Sequence, residues 1–238
     1  MTDKPDAKHG TLKELAEDAS GFGMGELRLT RDLILRPARA MDAYDEQGST
    51  AGGLYPRPMR YYIGLNGLIL LITALTGGSE RTLSTSEPQV LEAWVKASGK
   101  TRDAFIADFD QWFSLLSVPL YTLVMVLPLF FLIQRWSPLR WRADLGQTFT
   151  FLNAWTLYQM PIMVAFLIDP VTFKYLGVPL MLVLVLVVYA RVGRERWWRT
   201  PVGAWLKGLL LLVVTILAML PASFIVYFAA FTLAAYLP

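Results

Sequence analysis

The sequence has no cysteine and a single histidine, His9. Disulfide frameworks, thiolate metal sites and cysteine nucleophiles are thereby excluded, along with nearly every metal or general-base scheme built on imidazole. Charge is also scarce. Asp, Glu, Lys and Arg make up 17% of the 238 residues, where an ordinary globular chain has about 25%. The net charge of +3 is too small to imply a nucleic-acid partner. No phosphate-cradling glycine loop, acidic metal cluster or Ser-His-Asp set can be assembled. Gly21, Gly23 and Gly25 stand in no strand-turn-helix context and are no nucleotide fingerprint. The reading therefore names no catalytic, cofactor or metal residue and expects a protein that is not an enzyme.

Apolar residues, by contrast, make up 55% of the chain, and the mean hydropathy is +0.43. The fold class implied is an all-α integral membrane protein with about five transmembrane helices, amphipathic N-terminal helices and a small helical outer loop. Residues 1–58 form a polar, amphipathic region without the apolar core of a signal peptide; residues 59–238 form the transmembrane bundle. The spans are placed at about 59–75, 112–133, 148–168, 176–190 and 208–236, with the outer loop at 76–111. The last run, charge-free from Gly208 to Pro238, is too long for one upright crossing and too short for two. It reads as a single span that is tilted, kinked at Pro221 or protruding, or as one with a re-entrant end.

Within the first region, Thr11 and Glu14 make a capping-box pair ahead of Leu12, Leu15, Ala16 and Ala19. A second amphipathic stretch has Leu29, Leu33, Ile34, Met41 and Tyr44 on one side and Arg28, Arg31, Asp32, Arg39 and Asp42 on the other, divided at Pro37. It lies either in the headgroup layer or against the protein's own cytosolic loops. In the outer loop, Leu91, Trp94 and Val95 share one helical face, and Gly99 stops that helix. Phe105, Ile106, Phe109, Trp112 and Phe113 then recur at helical spacing and run into the second span. Trp94, Phe105 and Phe109 are read as an outer contact surface.

Basic residues set the orientation. The links at 134–147 and 191–207 hold eight Lys and Arg against two acidic residues, whereas those at 76–111 and 169–175 hold five against seven. The positive-inside bias places the N-terminus in the cytoplasm and the C-terminus outside. Trp136, Trp141, Trp197, Trp198 and Trp205 mark the cytoplasmic boundary. The cluster Arg191, Arg194, Arg196, Trp197, Trp198 and Arg199 is dense enough to contact phospholipid headgroups, although the same residues serve orientation and anchoring.

Apart from Arg60 at the very start of the first, no Asp, Glu, Lys, Arg or His lies inside any span so placed. Ion-coupled transporters keep such charges despite their energetic cost, so their absence weighs against that class. Asn153, Thr156 and Gln159, three residues apart on one face, are a possible polar lining for a neutral solute. More simply, they bond between helices. Asp144 and Asp169 are the remaining carboxylates for a lipid-directed enzyme, and neither has an evident partner in sequence.

Thr30-Arg31-Asp32-Leu33-Ile34-Leu35-Arg36-Pro37, followed by Tyr55-Pro56-Arg57-Pro58-Met59-Arg60-Tyr61-Tyr62, resembles a large family of uncharacterised bacterial membrane proteins with a Yip-type layout. In that family an arginine-proline helix precedes a Y-x-x-P-x-R-x-Y opening of the first span. Arg36, Pro37, Tyr55, Pro58, Arg60 and Tyr62 carry the match, over residues 30–62. The resemblance implies a cytosolic N-terminus, about five spans and the bacterial inner (cytoplasmic) membrane. The family's N-terminal cysteine cluster is absent, and Asn153 and Trp155 stand where its His-x-His pair would fall. The function expected is an inner-membrane accessory, scaffold or assembly subunit that packs against other membrane protein subunits or phospholipids. The alternative is a carrier or channel for a neutral solute or lipid.

Overall fold

The computed structural model describes residues 23–47, 55–75, 83, 88–137, 141–168, 170–194 and 196–237. The Thr11–Glu14 pair and Asp169 lie outside them. The described chain is helical. In order, the helices are α1 (Met24–Leu35), α2 (Pro37–Gln47), α3 (Pro58–Leu75), α4 (Pro88–Ser98), α5 (Arg102–Trp136), α6 (Trp141–Ile168), α7 (Pro170–Gly193) and α8 (Pro201–Tyr236). Each of the five apolar runs falls inside one helix. Among the described residues, α5, the Tyr175–Gly193 part of α7, and α8 are long and apolar enough to cross a bilayer.

Punctuation follows local chemistry. Pro88 opens α4, and Gly99 ends it at φ 68, a backbone conformation that glycine adopts without a Cβ clash. Thr101 then caps α5 by accepting from the amide of Ala104, and Thr200 caps α8 by accepting from Gly203. Pro201 takes the first helical position of α8, where its missing N–H costs nothing. Pro221 sits inside α8 without ending it.

α5 and α8 form the most extensive helix pair. They run antiparallel. Phe109 meets Phe231 near one end, Tyr121 shares a 2.6 Å hydrogen bond with Ser223 in the middle, and Lys207 lies over the Trp136 ring at the other. At 35 and 36 residues each helix is about 50 Å long, well over the ~30 Å of a bilayer's hydrocarbon. The Phe109–Phe231 end of the pair carries a second core with α4. Phe105 and Phe109 are fully buried there against Phe231, Ala230 and Ala234, and Trp94 stacks on Phe231 at 5.6 Å. The surface read as an outer contact face is therefore closed by the chain's own last helix. The apolar spacing of α8 extends past the membrane length because its last turns serve this core.

Lys100 locks the same end. Its ammonium donates to Asp108 at 2.6 Å and to the carbonyls of Ala234 and Leu237 at 2.9 and 2.6 Å. A cation placed on the last carbonyls of a helix satisfies unpaired acceptors and opposes the negative end of the macrodipole.

The main core lies at the opposite end, around α6, which packs against α7, α3, α5, α2 and α1. Leu29, Leu33, Ala40 and Met41 are fully buried in it, with Tyr44 and Tyr55. Of the two placements open to the amphipathic stretch, this face is the one turned onto the protein. Each such large side chain contributes roughly 1.5–3 kcal/mol by leaving water.

Candidate functional site

Many of the residues singled out in the sequence converge where α1 and α2 meet the starts of α3 and α6 and the end of α7. α1 begins with the Glu26 carboxylate accepting from the amide of Gly23 at 2.8 Å. One turn on, the Thr30 hydroxyl donates to the Glu26 carbonyl at 2.8 Å, so the Tyr61 hydroxyl, 2.6 Å away, supplies the proton between the two. Arg60 approaches Glu26 at 4.0 Å from an exposed position. The first turn of α3 is thus read against one face of α1.

The tightest element is Tyr55 with Asp32. Tyr55 is buried and donates to Asp32 Oδ2 at 2.5 Å, while Arg31 Nε donates to Oδ1 at 3.0 Å. Burial raises the Asp32 pKa, but the Tyr55 bond and the Arg31 and Arg39 charges outweigh it and hold the carboxyl below its ordinary value. The same burial and hydrogen bond push Tyr55 up to about 12. Beside them Tyr44, raised by burial, donates to the carbonyl of Pro56 at 2.5 Å.

The arginine cluster divides. Arg191 donates to the carbonyls of Ile34 and Leu35 at 2.8 and 2.6 Å, closing the C-terminus of α1, and lies 5.6 Å over the Tyr158 ring. The Tyr158 hydroxyl donates to the same Ile34 carbonyl at 2.9 Å. Arg196, half-buried and lowered in pKa by desolvation, pairs with Asp42 and, at 3.3 Å, with Asp45 on α2. Two of the four arginines read as headgroup contacts thus bind the chain's own N-terminal helices. Arg194 and Arg199 are exposed.

Trp197, read in the sequence as a boundary anchor, is buried inside the protein. It stacks on Tyr189 at 6.1 Å with Trp136 and Phe151 around it, and Lys207 donates to its carbonyl. The turn from α7 places it there, with Gly193 O accepting from the Trp197 amide at 2.8 Å. A Cβ on Gly193 would come within 2.9 Å of the Trp197 ring. The Trp197 indole donates to Gln147 Oε1 at 3.3 Å, and Gln147 Nε2 donates to Asp45 at 2.9 Å. Indole only donates and carboxylate only accepts, so the amide between them has one orientation.

The polar face on α6 is closed at its first member. Asn153 is buried and donates to the carbonyl of Pro58 at 2.9 Å, while its Oδ1 has no hydrogen-bond partner among the described residues. Thr156 and Gln159 are half-buried. Tyr62 packs on Phe149 at 5.5 Å, Pro37 and Pro58 are buried, and Arg36 is exposed. Asp144 is fully buried in the first turn of α6, near the helix's positive end rather than midway along the bundle. No group of three or more His, Cys, Asp or Glu able to hold a metal occurs among the described residues.

Sequence reasoning did not assign roles to Glu26, Thr30, Asp45, Gln147 or Lys100, and it placed Asp32 on the polar side. The signal for Asp32 was its position three residues after Leu29 and beside Leu33, at the edge of the apolar stripe.

No protein-family model, curated protein or solved structure matches this chain.

Proposed function

We propose that the protein is a non-enzymatic membrane accessory subunit whose output is contact, with five spans formed by α3, α5, α6, α7 and α8. The observation that carries this reading is the exposed stripe on α8. Leu206, Leu210, Val213, Leu217, Leu220 and Phe224 are exposed and alternate in steps of four and three residues. Such spacing is that of a helix-helix seam, suited to a membrane helix of a partner protein. The polar groups support it. Asn153 bonds Pro58, Tyr121 bonds Ser223, and the Trp155 indole donates to Met181 O at 3.2 Å, so they join helices to one another. The positive-inside bias sets α1 and α2 on the cytoplasmic side, and the layout agrees with the bacterial inner membrane suggested by the Tyr55–Tyr62 resemblance.

Purification of the full chain from its native membrane in mild detergent tests this. A stoichiometric co-purifying membrane protein is the expected result. A lone monomer would overturn it.

A further inference from the structure

α1 meets the bundle with one apolar face and leaves another uncovered. Met24, Leu27, Ile34 and Leu35 are exposed, the last at 60%. Between this flank and the start of α2 lies an open cleft of about 360 Å³ lined by Arg31, Asp32, Leu35, Arg36 and Arg39. Three guanidiniums face one carboxylate. That carboxylate is already engaged, one oxygen by Tyr55 and the other by Arg31, and is buried with 3% exposed. The arginines are exposed. The first turn of α2, beginning at Pro37, carries no acidic residue to offset them. The cleft is therefore a fixed excess of positive charge around rigidly joined helices.

Its walls are held by their neighbours. Tyr55, three residues before α3 begins, holds Asp32, and Arg191 at the end of α7 holds the carbonyls of Ile34 and Leu35. Exposed Trp141 and Trp205 open α6 and α8 at the same end of the bundle. Exposed indoles favour the headgroup layer. Guanidinium forks match phosphate oxygens in pairs, and the apolar flank of Ile34 and Leu35 lies beside them, where acyl chains would run.

We infer that the α1–α2 joint is a binding site for the phosphodiester headgroup of an anionic phospholipid, with Arg36 and Arg39 on the phosphate and Leu35 along the acyl chains. A soluble phosphate would use the arginines and leave the apolar flank unexplained. The site needs a phospholipid but no protein partner, so it does not stand or fall with the subunit reading.

The test uses the detergent-purified full chain and native mass spectrometry with added phosphatidylglycerol or phosphatidylcholine. R36Q/R39Q is compared with wild type and with R102Q, an exposed arginine at the far end of the bundle, and inorganic phosphate is the competitor. Phosphatidylglycerol is expected to be retained over phosphatidylcholine, with retention falling roughly fivefold per arginine removed and unchanged in R102Q. Millimolar inorganic phosphate should leave it bound. If the double variant melts early, R36K, which keeps the charge but not the fork, should still weaken retention. Equal retention of both lipids, an unaffected double variant with its fold intact, or an unaffected R36K would each overturn the site. Full displacement by inorganic phosphate would make it a soluble-anion site and overturn the lipid assignment.

Discussion

Arg191 donates to the carbonyl of Leu35 at 2.6 Å, so the last turn of α7 closes the last turn of α1. With the second bond to Ile34 this fixes the N-terminal helices on the bundle. Both partners are exposed to solvent. Arg191→Gln should therefore cost only about 1–2 kcal/mol. It should appear as faster amide exchange across α1 and α2 while α5 and α8 stay protected.

Tyr55→Phe should be more severe, because it strips a buried carboxylate of one of its donors; about 1.5–3 kcal/mol is expected, read from the melting temperature. The pair also sets two pH limits. Asp32 has a folded pKa below its ordinary 3.8, so its contribution is present above that pH and fades as the pH falls below it. Tyr55 is raised from 10.0 to about 12, so its contribution is intact below pH 10 and lost as the pH climbs toward 12. In the Tyr55→Phe variant the alkaline loss should shrink, a change visible by circular dichroism between those limits.

Gly193→Ala should displace Trp197, whose ring lies 2.9 Å from where the new methyl would sit. A loss of about 1–3 kcal/mol is expected from overpacking, with a shifted tryptophan emission. Gly146→Ala in α6 is the contrast. Its Cβ would meet nothing within 4 Å, so the change should be neutral or stabilise by roughly 0.5–1 kcal/mol.

Lys100→Met should free the carbonyls of Ala234 and Leu237 and leave Asp108 unpaired. Amides near the end of α8 should then exchange faster, at a cost of about 1–3 kcal/mol. Phe109→Ala, fully buried in the same second core, should cost about 3–5 kcal/mol.

Much of this was legible in the residues. The apolar runs, Gly99 as a stop and the continuity of Phe105 through Phe113 into the second span each follow from periodicity or local backbone chemistry. What was not legible came from tertiary pairing. Lys100 looks like one loop cation among several until α8 returns beside it. Asp32 sits at the rim of an amphipathic stripe, and only Tyr55, arriving from a distant turn, decides that it is buried. Arg191 and Arg196 have the composition of a headgroup cluster. Their use inside the chain depends on where α1 ends and where Asp42 and Asp45 fall. Trp197 has the sequence context of a boundary anchor, and the Gly193 turn directs it inward.

The central claim, that the free face of α8 is a seam for another membrane protein, is tested most directly by photocrosslinking in the native membrane. A crosslinking residue would replace Leu210, Leu217 or Phe224 in turn, with Leu123 on the exposed side of α5 for comparison. The α8 positions should yield one discrete heavier band containing a second polypeptide, with Leu123 giving lipid adducts alone. Lipid adducts alone at all four positions would contradict the account.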